Sequence, residues 1–151
     1  MRPINRLRPW QRLLADATGL ALLLTGVVWL AVHYAVGAGA GELPHPAEPW
    51  MMKLHGLAAM AALFVFGIVA AGHVPHGWRV THGRRLQLQR RLGASLLVLG
   101  ALLAGSGYAL YYFVPEGARP FVGLLHSAAG ALMAVAWIWH RVARAHRRVA
   151  P

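Results

Sequence analysis

Four long apolar runs, separated by short polar or glycine- and proline-rich segments, set the pattern of this chain. The first covers about residues 13–36, "LLADATGLALLLTGVVWLAVHYAV", and the second about residues 50–73. The third covers about residues 92–114, "LGASLLVLGALLAGSGYALYYFV", and the fourth about residues 120–140. Roughly 20 helical residues cross a bilayer core, and each run reaches that length. Strands of an outer-membrane barrel would alternate in polarity; these runs do not. The pattern predicts an all-α integral membrane protein, a four-helix bundle forming a single domain over residues 1–151.

The connections fit this division. "GAGAGELPHPAEP" links the first two runs with helix breakers, and Pro46 and Pro49 fall where a second helix would begin. "VPHGWRVTHGRRLQLQRR" links the second and third runs, and "PEGAR" turns the third into the fourth. No internal repeat or low-complexity domain stands out.

Composition strengthens the membrane reading. The chain is 58% hydrophobic and 13% charged, against about 25% charged in a soluble domain. Its formal net charge of +11 raises nucleic acid as a partner. The basic residues flank the apolar runs, however, and no nucleic-acid module interrupts them. Thirteen of the 15 Lys and Arg residues fall before the first run, between the second and third, or after the fourth. Only Lys53 and Arg119 fall on the other side, with Glu42, Glu48 and Glu116. The positive-inside rule then puts both termini in the cytoplasm. The first apolar run exceeds the 7–15 residues of a signal-peptide core, so it is read as a retained helix. Asp16 is placed to pair with Arg12, one turn earlier.

There are no cysteines and nine histidines. The first fact removes disulfides, thiolate metal sites, iron–sulfur clusters and Cys-linked haem. The second puts many copies of the commonest protein metal ligand into an apolar chain. His45, His76, His82 and His146 fall in expected loops or tails and read as solvated. His33, near the outer end of the first run, reads as an interfacial residue. His55, His73, His126 and His140 lie inside the second and fourth runs, where an ionisable side chain is expensive and calls for a partner.

Helical geometry sorts these four. At about 100° per residue, the 14 steps from His126 to His140 leave the two within about 40° of each other. The 18 steps from His55 to His73 bring the second ring back to about the same face. The rises are about 21 Å and 27 Å, so each helix offers one ring toward each side of the membrane. The second and fourth runs both cross from outside to inside. His55 and His126 therefore share the outer depth, and His73 and His140 the inner. His55, Ala59, Ala62, Phe66, Ala70 and His73 form one face; His126, Gly130, Met133, Trp137 and His140 form the other. Gly123 and Gly130 flank His126 on its face, and Gly56 follows His55. Small residues admit a flat ring and equally serve ordinary membrane-helix packing. Two imidazole pairs suit two planar cofactors with axial ligation. A structural zinc site would need about four ligands in one cluster, and a carboxylate-lined cation path finds too few acids.

The four-span pattern, with its 14-residue His126–His140 spacing, resembles the bacterial di-haem membrane cytochromes b, a group that includes the hydrogenase and formate dehydrogenase gamma subunits. "MKLHGLAAM" and "GHVPHGW" around the second run, "SGYALYY" on the third and His126 in the fourth also look like a small family of four-helix, cytochrome b-like proteins. The resemblance spans nearly the whole chain. It implies a multi-pass protein of the bacterial inner membrane, embedded in lipid and holding two haem b groups. The matched depths of the four histidines, rather than the resemblance, give His55 and His126 to the outer haem and His73 and His140 to the inner. The resemblance further implies electron transfer between quinone and a partner redox protein, as a subunit rather than a self-sufficient enzyme.

Two features depart from the pattern. The gamma subunits take an inner-haem ligand from their first helix, and residues 1–32 here hold no histidine, so His73 takes that role. The 18-residue spacing also exceeds 14 by about one turn. If helix tilt does not absorb the difference, a single haem on His55 and His126 remains. Arg119, Lys53 and the inner arginines are candidates for haem propionates and equally for topology anchors. Tyr108, Tyr111 and Tyr112 are candidates for a quinone pocket or an interfacial aromatic belt. Two other readings stand beside the cytochrome. One is a cofactor-free membrane scaffold whose histidines bond neighbouring helices. The other is a small permease using histidine as a transient ligand.

Overall fold

The computed structural model describes residues 7–80 and 87–145. His82 and His146, read above as loop and tail residues, lie outside them. The described residues form four helices: α1 (Pro9–Val36), α2 (Ala47–Val80), α3 (Gln87–Tyr112) and α4 (Arg119–Ala145). No strand occurs among them, so the all-α expectation holds. All four helices are long and apolar enough to cross a membrane, as expected of a multi-pass membrane protein.

Every helix outruns its apolar core. The largest extension is at the end of α2, which continues past His73 through Pro75 to Val80. His76, expected in a loop, therefore stands on a helix, although it is exposed. Hydropathy reports where the bilayer ends. Backbone hydrogen bonding sets where the helix ends, and polar residues such as Arg79 extend it. Pro75 removes one donor, the bond to the Ala71 carbonyl, without stopping the helix.

The termini have local causes. Pro9 opens α1 at a position where its missing N–H is harmless. The Gln11 side chain accepts the Arg8 N–H at 2.9 Å. After α1 a single 3₁₀ turn, Ala38–Ala40, ends at Gly41, whose φ of +85° suits glycine. A second 3₁₀ turn, Glu116–Ala118, leads into α4, where Pro120 sits harmlessly in the first helical turn.

The chain divides into two compact units, one of Arg8–Phe66 and the other of Gly67–Pro151 with the first seven residues. In the first, Thr25 meets His55 and His33 meets Glu48. Contacts that run backward along one helix as they advance along the other define an antiparallel hairpin. In the second, Ser106 meets His126, and Gly130 faces Leu103, so α3 and α4 are also antiparallel.

Among the described residues, Val65 is the one buried hydrophobic side chain. Large apolar side chains are exposed along every helix, such as Leu24 on α1, Phe64 on α2, Leu102 on α3 and Leu132 on α4. A surface of this kind fits lipid, against which leucine gains nothing by burial in protein. Helix association then relies on close packing and interhelical hydrogen bonds.

Candidate functional site

The four intramembrane histidines are half-buried, and so are the other positions of the two faces on which they lie. On α4 the half-buried residues include His126, Gly130, Met133, Trp137 and His140, while Leu125, Leu132, Val135, Ile138 and Trp139 are exposed. On α2, His55, Ala59, Ala62, Phe66, Ala70 and His73 are all half-buried. Gly56 is exposed and does not belong to that face.

His55 stands eight residues into α2 and His126 seven residues into α4. Each ring lies about 10–12 Å along its helix from the helix start. Each is held by a hydroxyl from the preceding helix. Thr25 Oγ1 of α1 lies 2.9 Å from His55 Nδ1. Ser106 Oγ of α3 lies 2.8 Å from His126 Nδ1.

The direction of these bonds follows from proton counting. A hydroxyl carries one hydrogen. Thr25 Oγ1 donates it to the Ala21 carbonyl at 2.7 Å, with Leu22 O at 3.2 Å. Ser106 Oγ faces the Leu103 carbonyl at 3.3 Å. A hydroxyl whose hydrogen stays on the backbone carbonyl accepts from imidazole, and the ring then donates Nδ1–H and keeps its lone pair on Nε2. His55 also bonds the Leu22 carbonyl.

A glycine follows the hydroxyl in both hairpins. A Cβ at Gly26 would lie 3.5 Å from His55 Cε1, and one at Gly107 would lie 3.4 Å from His126 Cε1. The helix backbone thus runs close past each ring edge. The two histidine segments share a Leu–His dipeptide and an alanine three residues after the histidine, at Leu54–His55 with Ala58 and Leu125–His126 with Ala129. The sequence reading overlooked Thr25 and Ser106. The available signal was a hydroxyl–glycine dipeptide in the helix before each Leu–His.

Arg119 is the first residue of α4, seven before His126, and lies within about 20° of its face. Its Nε donates to the Val114 carbonyl at 3.2 Å, which ties the guanidinium to the α3–α4 turn. Lys53 lies over the Trp50 ring, 4.9 Å from its centroid. Tyr108, Tyr111, Tyr112 and Phe113 are exposed and touch one another, with the Tyr108 and Tyr112 centroids 4.7 Å apart. That exposure matches an aromatic belt.

His33 is held outside the candidate set. Its Nδ1 lies 2.8 Å from Glu48 Oε2, and its ring stacks on Trp29 at 4.4 Å. His45 accepts the Ala47 N–H on Nδ1 at 3.2 Å, capping the start of α2.

In comparisons with protein-family models, curated proteins and solved structures, none matches this chain.

Proposed function

We propose that this chain is a membrane b-type cytochrome that carries electrons between the quinone pool and a partner redox protein in a bacterial inner membrane. His55 and His126 serve an outer haem, and His73 and His140 an inner one, with both termini in the cytoplasm. The carrying observation is the pair of half-buried histidines His55 and His126. Each is set at a similar depth in its helix, with its Nδ1 within hydrogen-bond distance of a hydroxyl from the preceding helix. This fits a haem ligand chemically, because ligating histidines characteristically donate their other ring nitrogen to an acceptor.

The haem, when bound, supplies the one-electron redox change. The chain's contribution is position and surroundings. His55 and His126 offer Nε2, and the small residues on the α4 face leave room beside it. A Cβ at Gly123 would meet no described atom within 4 Å, and one at Gly130 would meet only Leu103 Cδ2 at 3.9 Å. Arg119, anchored through Nε, can turn its remaining N–H groups to a propionate carboxylate. The apolar helices keep water from the rings.

The cofactor-free scaffold has an observation in its favour too. The Thr25–His55 and Ser106–His126 bonds join neighbouring helices, which is what such a scaffold would use its histidines for. Colour separates the readings. Protein purified from haem-replete cells should show a Soret band and sharp reduced α-bands, and pyridine haemochrome analysis should return two haems per chain. A colourless preparation overturns the cytochrome.

A further inference from the structure

We propose that Thr25 and Ser106 are positioning residues that fix His55 and His126 in the Nδ1–H tautomer, so that Nε2 is the nitrogen each ring offers to a haem. The assignment of Nε2 to haem rests on the function proposed above; the tautomer itself does not.

Three observations carry the inference. The hydroxyls lie within hydrogen-bond distance of Nδ1 in both hairpins. Each hydroxyl has a backbone carbonyl three or four residues earlier to take its own hydrogen, which leaves it an acceptor toward imidazole. The same arrangement occurs independently in two compact units of the chain, built from different residues, threonine in one and serine in the other.

A neutral imidazole has two tautomers, and only the nitrogen without hydrogen can bind a metal. A ring free to choose would present Nε2 part of the time. A ring bonded through Nδ1–H presents it always and in one orientation. Donation from Nδ1–H also pushes electron density into the ring and raises its basicity as a ligand. A more basic histidine ligand would favour oxidised iron, so each hydroxyl would lower the midpoint potential of a haem held by its histidine.

The test uses the full chain with ¹⁵N-labelled histidine, purified without haem and then loaded with haem b. In haem-free protein, two-bond ¹H–¹⁵N correlations should show His55 and His126 as Nδ1–H tautomers. Thr25→Val keeps the shape and removes the hydroxyl; it should shift His55 alone toward a mixture. Ser106→Ala should do the same for His126 alone. Thr25→Ser should restore the wild-type pattern. Gly26→Ala, which adds a methyl at ordinary contact distance from His55, should leave it unchanged. In loaded protein, Thr25→Val and Ser106→Ala should each raise the outer-haem potential and weaken haem retention about 10- to 100-fold.

If Thr25→Val and Ser106→Ala leave the tautomers unaltered, the proposal is overturned, whatever the haem content. If the tautomers shift but wild-type protein takes up no haem, the cytochrome reading falls while the tautomer lock stands.

Discussion

Glu48 Oε2 lies 2.8 Å from His33 Nδ1, joining the start of α2 to the end of α1. The other carboxylate oxygen, Oε1, accepts the backbone N–H groups of Ala38 at 3.2 Å and His45 at 2.9 Å. One buried side chain thus gathers both ends of the 37–46 connection. Negative charge in the first turn of α2 also complements the helix dipole.

This clasp makes Gly37 necessary for space. A Cβ there would collide with the Glu48 carboxylate and lie 3.0 Å from the Val32 carbonyl. Its φ of −119° suits any residue, so the collision is the whole effect. Gly37→Ala should destabilise the protein by about 1–3 kcal/mol, the usual range for overpacking. Thermal unfolding in detergent or nanodiscs would show it as a lower Tm. In a Glu48→Ala background the same substitution should lower Tm less, because the carboxylate is gone and only the 3.0 Å approach to the Val32 carbonyl remains. Gly41→Ala offers the contrast. Its penalty comes from the left-handed backbone at φ +85°, and Glu48→Ala should not relieve it. Additive effects of Gly37→Ala and Glu48→Ala would count against the clasp.

The helices were legible because a bilayer demands long apolar runs, and nothing else in a chain of this size makes four of them. Their ends were not, because helix hydrogen bonding carries on into the polar flanks, as at His76. The two histidine faces followed from spacing alone, since 3.6-residue periodicity needs no tertiary information. The role of His33 was hidden, because its partner is 15 residues away across a turn whose path depends on Gly37 and Gly41. Thr25 and Ser106 were hidden for another reason. A hydroxyl inside an apolar helix is ordinarily satisfied by its own backbone, as Thr18 and Ser127 are here, and only the neighbouring imidazole sets these two apart.

His73 and His76 test the choice of inner ligand. Both stand on the same helical stretch, three residues apart with Pro75 between them. His73 is half-buried and in phase with His55, whereas His76 is exposed. Under the proposed ligation, His73→Ala should remove one of two haems and its spectral component. His76→Ala should leave haem content and spectrum unchanged. The reverse result would move the proposed inner haem toward the C-terminal end of α2.

The absence of native cysteine gives a clean background for topology. Single cysteines at Leu43, which is 86% exposed, and at Gly117 should react with a membrane-impermeant maleimide applied to the outside of intact cells or right-side-out vesicles. A cysteine replacing Arg147 should react only after the membrane is permeabilised. Labelling of Arg147→Cys from outside would reverse the orientation inferred from the arginines.

The proposal that His55 and His126 hold one haem makes a prediction about pairs. His55→Ala and His126→Ala should each halve the haem content measured by pyridine haemochrome, from two per chain to one. Combining them should do no further harm, since both remove ligands from the same group. His126→Ala with His140→Ala should instead leave no haem, because the proposal gives those two residues, about 21 Å apart along α4, to different groups. This contrast separates ligation from general destabilisation. A chain that lost haem merely because it folded poorly would lose more with every added substitution, regardless of which histidines were paired. Equal haem loss in the two double variants would therefore sink the assignment of His55 and His126 to one haem.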